Sequence, residues 1–435
     1  MSNDALRSRS LRAVWHPCTQ MRLQERLPLV PVARGEGPWL VDHDGRRIFD
    51  GISSWWTNLF GHCHPRIGAA VADQLGRLEH VMLAGCTHAP AVELAERLAA
   101  LVPGSLGHCF YASDGSAAVE IALKMSFHFW RNGGRDGKTG FVALEGSYHG
   151  ETLGALSVTG VALYRDTYDP LLMRCRTVAS PDARAAAPGE TAADVGRRAA
   201  QALEAHLAEH HASTAALIVE PLVQGAAGMV MHDPEYLRIA RALCDRYDVL
   251  LIADEIMTGF GRTGTLFACE QAGVAPDIVC LSKGLTGGYL PLSAVLATDR
   301  VYGAFLDEEV ARGFLHSHSY TGNPLACRAA LAVLDLFAEE DVLASNAAKA
   351  ARFTAALAPV AAHPRARHFR HRGMIWAFDV ADAPPDFPRR AFEAALARGL
   401  LLRPLGATVY LMPPYVIEPD DFEWIVGVVE EVLGS

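Results

Sequence analysis

The sequence predicts an α/β fold: a mostly parallel sheet between helices, with a smaller α/β unit drawn from both ends of the chain. Three observations lead there. After Pro103-Gly104, and up to about residue 300, short apolar runs alternate with helical stretches, the pattern of strand–helix–strand crossovers that keeps neighbouring strands parallel. Two of these runs, Val249–Ala253 and Asp277–Leu281, are continuous rather than alternating, as expected of strands covered on both faces. Beyond residue 338 the rhythm changes to helix, strand, Pro-rich loop, helix, two short strands and a last helix, which reads as a second unit joined by the N-terminal arm. The expected divisions are 1–60 (arm and hairpin), 61–335 (large domain) and 336–435 (small domain).

In chain order, Trp39-Leu40-Val41 and Ile48-Phe49 flank Asp44-Gly45, a strong turn pair, and predict a hairpin. Gly51–Trp56 and Gly61–Pro65 follow as motif-like loops. Alternating strand residues point to opposite faces and no partner ligand stands at helical spacing, so no metal is expected at His62, Cys63 and His64. Thr87–Val102 predicts a helix, with Pro90 in its first turn and Val92, Leu94, Leu98 and Leu101 roughly on one face. Strands are expected at Cys109–Ala112, Phe141–Leu144, Ala215–Val219, Val249–Ala253, Ile278–Leu281 and Ser293–Ala297. Helices are expected at Val195–Glu209, Pro234–Arg246 and Leu325–Ala338, and Ala183–Ala193 reads as a low-complexity surface segment. In the last hundred residues, strands are expected at Met374–Val380, Leu400–Arg403 and Val409–Met412, and a helix at Arg389–Arg398.

The totals narrow the function. The chain has 435 residues, half of them hydrophobic, which is ample for a large core. Its net charge of −10 and the lack of a basic cluster argue against nucleic acid and anionic membrane as partners. Nine scattered cysteines without a C-x-x-C predict reduced thiols and a cytoplasmic location. Met1–Val14 is polar and basic without an apolar core, and no apolar run reaches membrane-spanning length.

Chemistry concentrates between Val249 and Gly288. One buried strand ends in Asp254-Glu255; another ends in Ser282-Lys283-Gly284. The carboxyl ends of strands are where open α/β sheets gather ligands. A carboxylate and a lysine there match the needs of pyridoxal 5'-phosphate (PLP): the lysine joins the cofactor covalently and the acid pairs with its ring nitrogen. A plain Asp–Lys ion pair is the simpler reading of those two residues alone. Six glycines around them (259, 261, 264, 284, 287 and 288) favour a ligand, because glycine permits close backbone approach and an ion pair has no use for it. Tyr111–Lys124 reads as strand, turn and helix, with Gly115 and Ser116 at the helix start, where free N–H groups and the helix dipole favour an anion; Ser116 or Asp114 also suits a helix cap. Tyr148, in Gly146-Ser-Tyr-His-Gly150, is placed to stack on a flat ring. No G-x-x-x-x-G-K-[ST] run occurs, which disfavours a nucleoside triphosphatase.

With these residues in view, the chain resembles the class III aminotransferases of the fold-type I PLP enzymes from about Trp15 to Tyr415. The most specific stretches are D-E-I-M-T-G-F-G-R-T-G (254–264) and L-S-K-G (281–284). Further stretches resemble the branch of that family serving biotin biosynthesis: W-H-P-C-T (15–19), G-I-S-S-W-W (51–56), H-V-M-L-A-G-C-T-H-A-P (80–90), F-L-H-S-H-S-Y-T-G-N-P-L-A-C (314–327) and L-L-R-P-L-G…Y-L-M-P-P-Y (401–415). The resemblance implies a seven-stranded sheet, PLP as cofactor, and ping-pong transamination from S-adenosylmethionine to 8-amino-7-oxononanoate. The alternatives are a lysine-using or broad ω-amino-acid transaminase on the same fold, or, more distantly, a PLP-binding regulatory module.

The resemblance also implies residue roles. Lys283 binds PLP and shuttles the proton, and Asp254 holds the ring nitrogen protonated. Gly115 and Ser116 bind the phosphate, joined by Ser319 from the partner subunit of a homodimer. Tyr148 stacks on the ring. Trp55, Tyr148, Lys283, Ser317 and Arg403 contact substrate, with Arg403 on a carboxylate, which its fork suits. Met257 stands where many class III members carry glutamine, and the biotin-pathway branch tends to lack that glutamine. Cys18 stands where well-known members carry tyrosine, and a thiol is a poorer hydrogen-bond donor. Ser317-His318-Ser319 replaces Gly-Pro-Thr and keeps the hydroxyl.

Overall fold

A computed structural model describes residues 1–434 except 26 and 28. The chain divides into two compact units, 66–343 and a second made of 1–65 with 344–435.

The larger unit is organised by a seven-stranded sheet: β1 (His108–Ala112), β2 (Gly140–Leu144), β3 (Cys175–Val178), β4 (Thr214–Val219), β5 (Leu250–Asp254), β6 (Ile278–Leu281) and β7 (Ser293–Ala297). Their spatial order is β1-β7-β6-β5-β4-β2-β3. All pairs are parallel except those of β7, which runs antiparallel to both β1 and β6. Every residue of β4 through β7 is buried, which is why those runs carry no polar alternation. Strand β3, at the edge, reads Cys-Arg-Thr-Val with a mixed burial pattern, so it lacks the apolar signature of the other six.

The principal helices of this unit are α1 (Ala89–Leu101), α2 (Gly115–Asn132), α3 (Ala192–His210), α4 (Pro234–Arg246) and α5 (Pro324–Glu339). Their starts are written in the sequence. Proline occupies the first turn of α1, α4 and α5, where its missing N–H costs nothing. His88, Asp233 and Asn323 cap those helices with side-chain acceptors, and Thr191 with Asp194 forms a reciprocal capping box on α3. Helix α5 buries ten residues and packs on α1, while α2 packs on β6 and β7.

In the second unit the two chain ends share a sheet. Val32–Glu36, Trp39–Asp42 and Arg47–Asp50 form an antiparallel meander, and Leu400–Leu401 adds in parallel beside Arg47–Asp50. The hairpin turn is the expected one: Gly45 has φ of 87°, and Asp42 Oδ1 accepts from the N–H groups of Asp44 (3.0 Å) and Arg46 (2.8 Å). Ala366–Arg372, Ile375–Val380 and Thr408–Leu411 form a second, antiparallel sheet. The strand expected at Leu400–Arg403 stops at Leu401, leaving Arg403 just past its end.

Candidate active site

The carboxyl ends of four adjacent strands, β6, β5, β4 and β2, converge on one locus. Asp254 is the last residue of β5, is 4% exposed, and stands in register with Cys280 of β6. Its Oδ2 lies 2.7 Å from His149 Nδ1, and its Oδ1 accepts from Ile256 N–H at 3.1 Å. His149 comes from the loop after β2. Its Nε2 is buried and has no partner among the described residues.

Glu220 follows β4 as Asp254 ends β5. Its carboxylate accepts from the N–H groups of Tyr148 (2.9 Å) and Gly225 (3.0 Å). Burial pushes Glu220 up to about 7, with Asp254 adding in the same direction and His149 and the two N–H groups opposing. Lys283, two residues past β6, has φ of 47°, an uncommon backbone for a side chain of its size. Burial draws its ammonium down to about 8, opposed by the charges of Asp254 and Glu220. Gly287 (φ 62°) and Gly288 (φ 84°) then turn the chain away.

The loop between β1 and α2 supplies an anion cup. Asp114, not Ser116, is the helix cap; it accepts from Ala117 N–H at 3.0 Å. Ser116 Oγ accepts from Glu151 N–H at 3.0 Å. The backbone N–H groups of Gly115 and Ser116, at the first positions of α2, have no partner among the described residues. Gly150 has φ of 123°, and a Cβ there would lie 1.9 Å from Ser116 Oγ, so only glycine lets the two loops close on each other. The Tyr148 ring lies edge-on to Tyr164 at 5.3 Å, and its hydroxyl donates to Glu151 at 2.8 Å.

Ser317 and Ser319 are exposed on the segment before α5. That segment is tethered by His318, whose Nδ1 is 3.4 Å from Ser113 Oγ and whose Nε2 is 3.1 Å from His316. Met257 is buried.

Trp55, Arg403 and Cys18 belong to the second unit. The Arg403 guanidinium sits 4.7 Å from the Trp55 ring centre and donates to the Cys18 carbonyl at 3.4 Å. Trp55 stands in a left-handed turn: Ser53, Ser54, Trp55 and Trp56 have φ of 50°, 47°, 70° and 73°. Such a conformation costs an L-residue roughly 1–2 kcal/mol, so four in succession must be held by their surroundings.

Sequence reasoning overlooked two buried members of the site. His149 lies inside a motif singled out for its tyrosine. Glu220 carries the same signal that exposed Asp254, an acid directly after a continuous apolar strand.

These residues suit PLP. Unpartnered N–H groups at a helix start suit its phosphate, the buried Asp254–His149 pair suits a ring nitrogen, and an amine drawn to about 8 suits covalent attachment. The family model for class III aminotransferases matches residues 21–433. The chain belongs to the class III aminotransferases. It is therefore a transaminase of the PLP-dependent kind. A relative from Helicobacter pylori, named adenosylmethionine-8-amino-7-oxononanoate aminotransferase, is 42% identical over 99% of this chain and 98% of its own. The solved structure of the protein so named from Methanocaldococcus jannaschii superposes with a TM-score of 0.93 at 33% identity, covering 100% of this chain and 99% of that one. An amine transaminase from an uncultivated Pseudomonas species, solved in its PLP-bound form, gives 0.90 at 33% identity and covers 97% and 98%. The likeness to class III aminotransferases thus spans both units.

Proposed function

We propose that this class III aminotransferase moves the amino group of S-adenosylmethionine to 8-amino-7-oxononanoate, giving 7,8-diaminononanoate in biotin biosynthesis. The observation that carries the reading is the 42% identity, over nearly the whole of both chains, to a relative bearing that name. The biotin-branch stretches at 15–19, 51–56, 80–90, 314–327 and 401–415 support it from the sequence side.

When bound, PLP supplies a ring that withdraws electrons from the substrate carbon bearing the amino group. The residues around it do the rest. Lys283 Nζ removes and returns the proton at that carbon. A base must be neutral, and an amine near 8 has a sizeable neutral fraction at physiological pH, which an ordinary lysine lacks. Asp254, backed by His149, holds a proton on the ring nitrogen. The N–H groups of Gly115 and Ser116 and the Ser116 hydroxyl bind the phosphate, and Tyr148 packs on the ring. Arg403 binds the carboxylates of donor and acceptor in turn, and Trp55 and Ser317 line the substrate path.

The functional unit is a homodimer in which Ser319 of one subunit completes the phosphate cup of the other. The apolar side chains of Phe127, Leu153, Leu171, Met173, Phe314 and Leu315 support this: they line one open cavity beside the segment bearing Ser319. A cytoplasmic location fits a small-molecule biosynthetic enzyme.

The test is the half-reaction. S-adenosylmethionine alone should shift the absorbance band of the bound cofactor, and 8-amino-7-oxononanoate should restore it. Bleaching by lysine but not by S-adenosylmethionine would keep the transaminase and replace the donor. Lys283→Ala should lose both the band and turnover; retained turnover would refute its role.

A further inference from the structure

We propose that Asp50 is a positioning residue for substrate carboxylates: it fastens the left-handed turn 53–56 so that Trp55 supports Arg403. The inference rests on the reading of Arg403 as the carboxylate anchor and adds what holds that anchor in place.

Asp50 ends the strand Arg47–Asp50 and is fully buried, and among the described residues its one ion-pair partner is the ring of His62. Three groups converge on its carboxylate. Ser54 N–H donates to Oδ1 at 2.9 Å, Ser54 Oγ–H donates to Oδ2 at 2.6 Å, and His62 Nε2 stands 3.0 Å from Oδ2. On the other side of that imidazole, Asn58 Nδ2 lies 3.1 Å from Nδ1, an arrangement suited to a ring that donates to Asp50 and accepts from Asn58.

The turn is pinned at its other residues too. Ser53 Oγ donates to Met412 O at 2.7 Å, and Trp56 Nε1 donates to the Tyr410 hydroxyl at 3.1 Å. Trp56 is thus the buried anchor, 5% exposed, while its neighbour Trp55, 39% exposed, is free to present a face. That face meets the Arg403 guanidinium at 4.7 Å.

Register places the same residue beside the strand that leads to the arginine. Asp50 pairs with Leu401, two residues before Arg403. Between them Gly51 passes so close that a Cβ would lie 2.9 Å from Leu401 O. One residue therefore meets the strand that leads to Arg403 through its backbone and the turn that carries the arginine's stacking partner through its carboxylate. A strained turn held by a convergent carboxylate is a way of making a surface side chain rigid, and rigidity is what a carboxylate fork needs in order to recognise geometry as well as charge.

The test compares Asp50→Asn, Ser54→Gly and Arg403→Ala in the holoenzyme. Asn keeps the shape of Asp50 but cannot accept all three donors. Gly suits φ of 47° at position 54 and removes one hydroxyl bond, so it relaxes the turn without threatening the fold. Both variants should raise KM for the oxo-acid about tenfold or more. They should leave kcat within about threefold, and leave the cofactor band and its pH titration unchanged. Asp50→Asn combined with Arg403→Ala should be no worse than Arg403→Ala alone, since the two changes remove one interaction. If Arg403→Ala raises KM but Asp50→Asn does not, or if the two effects add, the positioning role of Asp50 is wrong. If Asp50→Asn lowers kcat and thermal stability together with no selective change in KM, its role is structural and the proposal is overturned. If Arg403→Ala itself leaves KM unchanged, the carboxylate anchor is misassigned and the proposal falls with it.

Discussion

Lys283 and Glu220 are a base and an acid whose buried surroundings move both toward neutrality. Burial lowers Lys283 to about 8, and the negative charges of Asp254 and Glu220 restrain that fall. Removing the Glu220 charge should therefore lower the Lys283 amine further. In Glu220→Gln, the pH profile for PLP capture by the apoprotein should shift to lower pH; a shift upward or no shift would contradict the charge coupling. Glu220 also leaves a mark on stability. Its folded value of about 7 exceeds the ordinary glutamate value, so the folded state keeps a proton that the unfolded chain releases above about 4.5. Its stabilising contribution is complete below about 4.5 and is lost as pH rises toward 7, by an amount on the order of 3 kcal/mol. Glu220→Gln should flatten that part of the apoprotein's thermal-stability profile, as read by calorimetry. Asp254→Asn is expected to impair turnover far more than folding, because its partner His149 can still find an acceptor in the amide oxygen; a collapsed melting temperature with normal turnover of the survivors would reverse that assignment.

The loops at the strand ends depend on a few close approaches. Gly150→Ala places a methyl 1.9 Å from Ser116 Oγ, which forces apart the loop after β2 and the start of α2. Retention of PLP through gel filtration should fall at least tenfold while the apoprotein remains folded; unchanged retention would mean the cup is not formed between those two loops. The same elements show what a sequence can and cannot disclose. Strands β4 to β7 were legible because burial on both faces demands continuous apolar runs. Strand β3 was not, because an edge strand of Cys-Arg-Thr-Val carries no such demand, and Ala366–Arg372 was hidden likewise by its charges. Helix starts were legible from proline and capping residues. The left-handed turn at 53–56 was not, since nothing in Ser-Ser-Trp-Trp announces positive φ; its side chains bond to Asp50, four residues before Ser54, and to Met412 and Tyr410, which are distant in sequence. In the site, Asp254 and Lys283 stood out at strand ends, whereas His149 appears only once the fold brings its ring within 2.7 Å of the Asp254 carboxylate.

One chain leaves two requirements open at the same place. Ser319 is exposed on the segment before α5, and apolar side chains around α2 line an open cavity beside it, with Leu171 64% and Leu315 73% exposed. A second copy would cover the apolar surface and bring a hydroxyl to the phosphate cup in the same step. If so, assembly and cofactor retention are linked, and a charge placed on that surface should damage both. Leu171→Glu and Leu315→Glu each replace an apolar side chain of that cavity with a carboxylate, which loses its water if the cavity is an interface, so each should weaken association. Analytical ultracentrifugation should then show a monomer, and the same sample should lose PLP on dilution, while Ser319→Ala should stay dimeric and lose affinity for PLP alone. A monomer that holds PLP as tightly as the parent would separate assembly from the cofactor site. A variant that remains dimeric would move the interface elsewhere on the surface.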